Sequence, residues 1–252
     1  MNTRELLLRE MGITPQWVRR DRLTAATVDI EPVQREANDS PPAVASERTN
    51  SESSESRHAR IAALSAQALA TEISNCRACG LCHARGKAVV GAGSLEPLTD
   101  AQPRWFVVAA APTDAEDRSG QSFVGPAGVL LDAMLAAVGV SRKKSAYITH
   151  LVKCQPPGNR MPHRDEILAC APILNRQIAL TQPAVIVALG SATAQLMSAS
   201  DSESSQSEDT ALHFAGAKGA TVAHPTELLE KPQLKAAAWA DLLRARALAN
   251  GR

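Results

Sequence analysis

Residues 109–125, AAAPTDAEDRSGQSFVG, contain the side chains in this sequence best suited to binding chemistry. Glu116 and Asp117 form an acidic pair, and Phe123 lies between glycine-containing turns. The segment follows the apolar run WFVV, which has the composition of a buried strand. Its first three residues are alanines, which offer no group for acid–base chemistry. The pattern raises the question of whether this is an active site or the remains of one.

Cysteines form the second group with chemical potential. Cys76 and Cys79 form a CxxC motif, and Cys154 and Cys170 follow far downstream. Four thiolates suit either zinc or an iron–sulfur cluster on softness alone, and the spacing does not distinguish between them. The alternative is a set of buried free cysteines, because structural disulfides are rare in the cytoplasm. Cys82 is a fifth thiol near the CxxC motif.

Apolar strands alternate with helical patterns after residue 104, and this alternation predicts a parallel sheet that is covered by helices on both faces. The predicted strands are residues 105–111, 146–149, 185–189 and 220–223. The predicted helices begin near residues 127, 164, 191 and 234. The fold class is therefore α/β, with three layers.

Composition divides the chain into parts. Residues 1–22 contain a short apolar cluster, residues 23–58 read as a disordered linker, and a globular domain is expected over residues 59–252. An acidic, serine-rich loop is expected within that domain at residues 198–209. The net charge of +1 argues against a protein that coats nucleic acid by charge alone. No apolar run is long enough to span a bilayer, so a cytoplasmic protein without membrane contact is expected.

Ordered sequence blocks between residues 76 and 245 resemble the motifs of the iron–sulfur uracil-DNA glycosylases of the family 4 type. The blocks are NCRACGLC, RWFVVAAAP, EDRSGQSFVGPAG, YITHLVKCQPPGNRMP, AVIVALG, AHPTELL and WADLLRA. The resemblance implies a uracil-DNA glycosylase-like domain, a three-layer α/β/α architecture around a central parallel sheet. It also implies a structural 4Fe–4S cluster with four ligands, Cys76, Cys79, Cys154 and Cys170. Cys82 would then be an extra thiol.

The same resemblance assigns a base pocket and exposes departures from the family. Phe123 matches the residue that stacks on the base, and His224 matches a histidine near a base carbonyl. Glu116 and Asp117 match an acidic pair in the same loop. Ala110 stands where the family has a catalytic glutamate, and His150 replaces the asparagine that reads the base edge. The site is therefore expected to be degenerate, with a cost of about 10²- to 10⁴-fold in rate for the lost carboxylate.

A second resemblance concerns the N-terminus. LLLREMGITPQWVRRD, residues 6–21, is similar to the N-terminal peptide of the psi subunit family of bacterial DNA polymerase III holoenzyme. This similarity implies a non-catalytic replication subunit that links the tau and gamma subunits of the clamp loader to the chi subunit, and through chi to single-stranded-DNA-binding protein. The implied partner-binding residues are Leu7, Leu8, Met11, Ile13, Trp17, Arg19 and Arg20.

Three functional hypotheses follow. The preferred one is the psi-type subunit on a glycosylase fold. The alternative is an iron–sulfur uracil-DNA glycosylase that acts in base excision repair, with unchanged or altered specificity. A third is a scaffold that contacts DNA weakly through the basic residues between positions 142 and 164.

Overall fold

A computed structural model describes residues 53–95, 104–200, 212–214 and 217–251 of the chain. Within these residues a five-stranded sheet has the strand order β2-β1-β3-β5-β4. The strands are β1 (Trp105–Ala109), β2 (Ala146–His150), β3 (Val185–Leu189), β4 (Leu212–Phe214) and β5 (Ala217–Val222). Four of them pair in parallel, and β4 pairs antiparallel with β5 at the edge. The predicted central parallel sheet is confirmed.

The helices alternate with these strands along the chain. They are α1 (Ser54–Ala62), α2 (Ala66–Asn75), α3 (Asp114–Ser119), α4 (Gly125–Ala137), α5 (Arg164–Thr181), α6 (Ser191–Ser200), α7 (Pro225–Glu230) and α8 (Lys235–Ala249). The predicted helices near residues 127, 164, 191 and 234 correspond to α4, α5, α6 and α8. The sequence pattern does not predict helices α3 and α7. None of the described helices is long and apolar enough to cross a membrane.

Two hydrophobic cores lie on opposite faces of the sheet. One contains Phe106 and Val108 of β1 together with side chains of α1, α2, α5 and α6. The other contains Trp105 and Val107 of β1 together with side chains of α4, α7 and α8. Successive residues of a strand point to opposite faces, so a strand buried on both faces must be apolar throughout. The three-layer α/β/α architecture follows directly from this pattern.

Several predicted segments lie outside the described residues. They include the N-terminal peptide at residues 1–22, most of the linker predicted at residues 23–58, and residues 201–209 of the acidic loop. Helix α1 begins at Ser54, before the domain boundary predicted at residue 59. Its first turn is capped by Ser53, whose hydroxyl accepts the backbone N–H of Ser56 at 3.1 Å.

Candidate active site

A crevice opens at the carboxyl ends of β1 and β3. In the sheet, β2 is the outer neighbour of β1, and β5 is the outer neighbour of β3. The connections that follow β1 and β3 therefore run in opposite directions. Open α/β sheets bind their ligands at such a switch point. The crevice has a volume of about 370 Å³, which suits a small ligand. Its lining includes Ala110, Thr113, Asn159, Arg160, Gly190 and His224.

Glu116 is a buried carboxylate beside this crevice. Its Oε2 accepts hydrogen bonds from the backbone N–H and the hydroxyl of Thr113, both at 2.7 Å. Its Oε1 accepts the N–H of Phe123 and lies 3.3 Å from Nε2 of His150. Burial raises the pKa of Glu116, but His150 and the backbone N–H donors outweigh burial and lower this pKa to about 2. Glu116 is thus ionised at neutral pH and acts only as an acceptor.

Phe123 is held in an unusual backbone conformation. Its φ of 55° lies in the left-handed region, which residues other than glycine rarely adopt. Glu116 accepts its N–H, and Arg142 donates to its carbonyl at 3.4 Å and to that of Ser122 at 2.7 Å. Gly128 packs so closely that a Cβ there would lie 1.9 Å from the Phe123 carbonyl oxygen. These contacts hold the aromatic ring at a defined position.

His150 ends strand β2 and lies next to Phe123. The two rings are nearly parallel, with an interplanar angle of 5° and centroids 5.4 Å apart. Because the ionised Glu116 only accepts hydrogen bonds, Nε2 of His150 must carry the proton between them. The other ring nitrogen, Nδ1, is buried and has no hydrogen-bond partner. His150 therefore places an unpaired polar atom beside an aromatic face.

His224 approaches the same aromatic ring from the crevice. Its Nδ1 accepts the backbone N–H of Thr226 at 3.2 Å, at the start of helix α7. Burial lowers the pKa of His224, and the nearby His150 lowers it further. The imidazole is thus neutral at neutral pH, and the bond from Thr226 assigns its proton to Nε2. Its ring is tilted by 35° relative to Phe123, with centroids 5.7 Å apart.

The acidic pair predicted from the sequence is divided between two places. Glu116 belongs to the cluster with Phe123 and His150. Asp117, the next residue, accepts the backbone N–H of Gly86 at 2.7 Å through Oδ2, so it connects helix α3 to the segment after the CxxC motif. Ala110 lines the crevice with a methyl group only. Asp117 thus contacts the segment after the CxxC motif, whereas Glu116 contacts Phe123 and His150.

A second cavity gathers the cysteines. It is lined by all five of them, Cys76, Cys79, Cys82, Cys154 and Cys170. A guanidinium nitrogen of Arg57 lies 3.6 Å from Sγ of Cys76, and one of Arg85 lies 3.2 Å from Sγ of Cys154. These cations stabilise negative charge on sulfur. Burial nevertheless raises the pKa of Cys170 to about 12, so this thiol is protonated unless a metal binds it.

The cysteine cavity contains the thiol donors that an iron–sulfur cluster would need. Among the residues that the structure describes, no three cysteine, histidine or acidic side chains are close enough to bind one ion. Iron–sulfur clusters are held by cysteine thiolates. The sulfur donors and the adjacent cations are therefore compatible with the 4Fe–4S cluster predicted above, which stays a prediction.

Comparisons with known proteins assign the family. The strand order β2-β1-β3-β5-β4 and the crevice beside β1 and β3 define an α/β protein whose candidate ligand site lies at the switch point of the sheet. The model of the uracil DNA glycosylase superfamily matches residues 96–243, and the chain belongs to this superfamily.

Relatives include the type-4 uracil-DNA glycosylase of Pyrobaculum aerophilum, 41% identical over 125 residues, which cover 50% of this chain and 60% of the relative. The type-4 enzyme of Saccharolobus solfataricus is 42% identical over 48% of this chain and 54% of its own. The type-4 enzyme of Thermotoga maritima is 42% identical over 47% and 58%. The chain thus matches less than two thirds of the length of these relatives.

The preferred hypothesis of a psi-type replication subunit is wrong. Relatives with 40–42% identity over half of the chain are named type-4 uracil-DNA glycosylases, which agrees with the alternative hypothesis. The hypothesis depended on a similarity at residues 6–21, which lie outside the described residues, and on the changes at Ala110 and His150. His150 nevertheless keeps a polar contact with Glu116 and a stacking contact with Phe123. Its substitution therefore does not turn the site into an apolar core.

Sequence reasoning missed some residues that organise the site. Thr113 is one of them, and the T-x-x-E pattern from Thr113 to Glu116 is the signature of a helix start that could have identified it. Arg142 was read only as part of a basic run, whereas its guanidinium binds Asp132 and two carbonyls of the Phe123 loop. No local pattern predicts that contact. The partner-binding residues proposed between Leu7 and Arg20 lie outside the described residues.

Proposed function

We propose that this chain is an iron–sulfur uracil-DNA glycosylase of the type-4 class, which removes uracil from DNA and so begins base excision repair. The observation that carries the proposal is that His150 and His224 both lie beside the ring of Phe123, with the ionised Glu116 next to His150. Base excision requires an aromatic face for the flipped base, polar groups at its edge, and a donor for developing negative charge. This cluster contains one residue of each type.

His224 is the donor in this mechanism. Breaking the bond between the base and C1′ of the sugar leaves the electron pair on the base, so negative charge grows on a base carbonyl oxygen. A neutral imidazole that donates from Nε2 stabilises this oxygen, and it needs no proton from solvent. The lowered pKa of His224 keeps the ring neutral at physiological pH. Removing one such donor typically costs about 10²- to 10³-fold in rate.

The water that completes hydrolysis receives less assistance. A carboxylate at the crevice would orient this water and accept its proton, but Ala110 has only a methyl group there. Glu116 does not replace the missing base, because its pKa of about 2 is far below the working pH and both of its oxygens already accept hydrogen bonds. We therefore expect excision to be about 10²- to 10⁴-fold slower than in a relative that has the carboxylate.

The iron–sulfur cluster has a structural role in this proposal. Cys76 and Cys79 follow helix α2, Cys154 follows strand β2, and Cys170 belongs to helix α5. A bound 4Fe–4S cluster would cross-link these segments, which are distant in sequence. Metal binding of this kind contributes directly to the free energy of folding.

The test is an excision assay on DNA with a single uracil, in single-stranded and double-stranded form, against a matched oligonucleotide with cytosine at that position. The wild-type protein should produce an abasic site that alkali cleaves, and only from the uracil substrate. The His224→Ala variant should be about 10²- to 10³-fold slower. The matched control is Leu229→Ala, a change at an exposed position of helix α7, which begins directly after His224. Absence of product from both DNA forms at stoichiometric protein would overturn the proposal.

A further inference from the structure

Two arginine side chains reach the cysteine cavity from the segments around it. Arg57 lies in helix α1, and Arg85 follows the CxxC motif. Both residues are half-buried, and neither is among the described residues that line the crevice. Base excision at the crevice gives these two arginines no role, so their contacts with the cysteines require another explanation.

Arg57 joins two segments that carry cysteines. One terminal nitrogen of its guanidinium donates to the backbone carbonyl of Ala169 at 2.9 Å, and the other lies 3.6 Å from Sγ of Cys76. Ala169 directly precedes Cys170 in helix α5. A single side chain thus connects Cys76 to the helical turn that carries Cys170.

Arg85 forms a second connection of the same kind. One terminal nitrogen lies 3.2 Å from Sγ of Cys154, and the other donates to the backbone carbonyl of Ser74 at 2.7 Å. Ser74 lies in the last turn of helix α2, where carbonyls lack partners within the helix. Because α2 leads directly into Cys76, Arg85 connects Cys154 to the same cysteine segment that Arg57 contacts.

Together the two arginines connect three of the four predicted cluster ligands, which are Cys76, Cys154 and Cys170. Cys79 needs no such link, since the CxxC motif already joins it to Cys76. A guanidinium suits this task, because its planar shape presents several N–H donors in a fixed fork. A lysine ammonium is a point charge and does not hold a sulfur and a carbonyl in one fixed geometry.

The charge of the cavity supports the same role. Its lining includes the side chains of Arg85 and Lys153, and among the described residues that line it there is no carboxylate. Four cysteine thiolates with their iron and sulfide carry a net negative charge, which cationic N–H donors at the sulfur atoms stabilise. The two arginines therefore place cationic donors at sulfur atoms that are anionic when iron is bound.

Building on the proposed function, we propose that Arg57 and Arg85 are positioning residues for the iron–sulfur cluster. They hold three ligand segments together, and they donate hydrogen bonds to the ligating sulfur atoms. The first role slows loss of the cluster, since a cysteine that leaves iron remains close to it. The second role raises the reduction potential, because adjacent cations and N–H donors stabilise the negative charge that reduction adds.

The first test measures how fast the cluster is lost. Full-length protein, purified without oxygen, is mixed with an excess of a ferrous-iron chelator, and the decay of the visible absorbance is followed. Arg57→Met and Arg85→Met should each lose the cluster about tenfold faster than the wild-type protein, since each removes a hydrogen bond to a charged group. Arg77→Met is the matched control, because Arg77 lies between Cys76 and Cys79 but is exposed. Its rate should change less than about twofold, as expected for a charge in contact with solvent.

The second test separates positioning from a purely structural role. The midpoint potential is measured under argon by spectroelectrochemistry. Arg85→Met should move it to a more negative value, whereas Arg85→Lys should keep it closer to that of the wild-type protein, because lysine retains the positive charge. Arg85→Lys should nevertheless lose the cluster as fast as Arg85→Met does, because an ammonium does not hold the sulfur and the carbonyl together. A general loss of packing would change both properties in the same way in both variants.

The outcomes distinguish this inference from the proposed function. If Arg57→Met and Arg85→Met lost the cluster at the rate of Arg77→Met, or kept the wild-type potential, the inference would be wrong. Wild-type protein without iron would also overturn it. An iron-containing wild-type protein that forms no abasic site would instead overturn the proposed function and leave the role of the arginines standing.

Circular dichroism checks that each variant is folded. If the methionine variants do not fold, Arg85→Lys is compared with the wild-type protein alone. Faster loss of its cluster would then support the inference, and an unchanged rate would overturn it.

Discussion

Glu116 links the candidate site to the stability of the domain. Its pKa is lowered from 4.5 to about 2, because the donors around the carboxylate outweigh the effect of burial. A carboxyl group whose pKa is lower in the folded state than in the unfolded state stabilises the fold above its unfolded pKa. This contribution is complete above about pH 4.5 and is lost as the pH falls through about 2.

Glu116→Gln should therefore lower the free energy of unfolding at pH 7 by on the order of 3 kcal/mol. The difference between wild type and variant should shrink as the pH falls from 4.5 towards 2, since the wild-type carboxylate becomes protonated over this range. Urea unfolding followed by circular dichroism measures both effects. Glu230→Gln changes an exposed glutamate and is the matched control. A loss in Glu116→Gln that is equally large at pH 7 and at pH 2 would contradict the assignment.

Helix α4 carries the contact that fixes the aromatic loop. Gly128 lies in its second turn, where a Cβ would lie 1.9 Å from the carbonyl oxygen of Phe123. Alanine is a better helix former than glycine by about 1 kcal/mol, so helix propensity alone predicts that Gly128→Ala stabilises the protein. The contact predicts the opposite, because the added methyl group must push the Phe123 loop away.

We expect Gly128→Ala to destabilise the domain by about 1–3 kcal/mol and to weaken binding of uracil-containing DNA, as overpacking against a fixed backbone does. Val129→Ala is the control, since this neighbouring residue of the same helix is 72% exposed. Thermal unfolding and anisotropy titration measure the two effects. If Gly128→Ala were as stable as the wild-type protein and bound DNA equally well, the loop would not depend on this contact.

At the scale of the whole molecule, the cysteine cavity joins helices on one face of the sheet to the end of β2. Cys154→Ala should abolish the brown colour and the iron content of anaerobically purified protein, and it should lower the melting temperature because metal binding contributes to folding. Cys82→Ala should change neither property. Iron quantification and thermal unfolding test both variants. Stoichiometric zinc without iron in the wild-type protein would contradict the cluster assignment.

The basic residues between positions 142 and 164 do not form one free cationic face. Arg142 pairs with Asp132, and Arg160 pairs with Glu166. Lys153 is fully buried, and its ammonium donates to the hydroxyl of Thr149 at 2.7 Å. In the sequence these residues form a run of positive charges. In the folded protein three of them contact other groups of the same chain. Net charge along a segment therefore overestimates the surface that is available to DNA.

The sequence by itself determined the architecture and the inventory of the site. The apolar runs around residues 105, 146, 185 and 220 became the parallel strands, because a strand buried on both faces has to be apolar along its length. The family motifs also named Phe123, His150 and His224, which the structure brings together around one ring. The edge strand β4 was not predicted, since three residues carry too little periodicity to be recognised.

Only the tertiary structure decided what these residues do to one another. The contact between Glu116 and His150 joins helix α3 to the end of strand β2. The hydrogen bond from Arg142 to the Phe123 loop likewise joins two segments that lie apart in the sequence. Local patterns report periodicity and burial, whereas these contacts depend on the register of strands and on the path of loops between them. The substitution of His150 looked like a loss in sequence. In the folded protein it is an oriented imidazole with one unpaired nitrogen, because the neighbouring carboxylate holds the other.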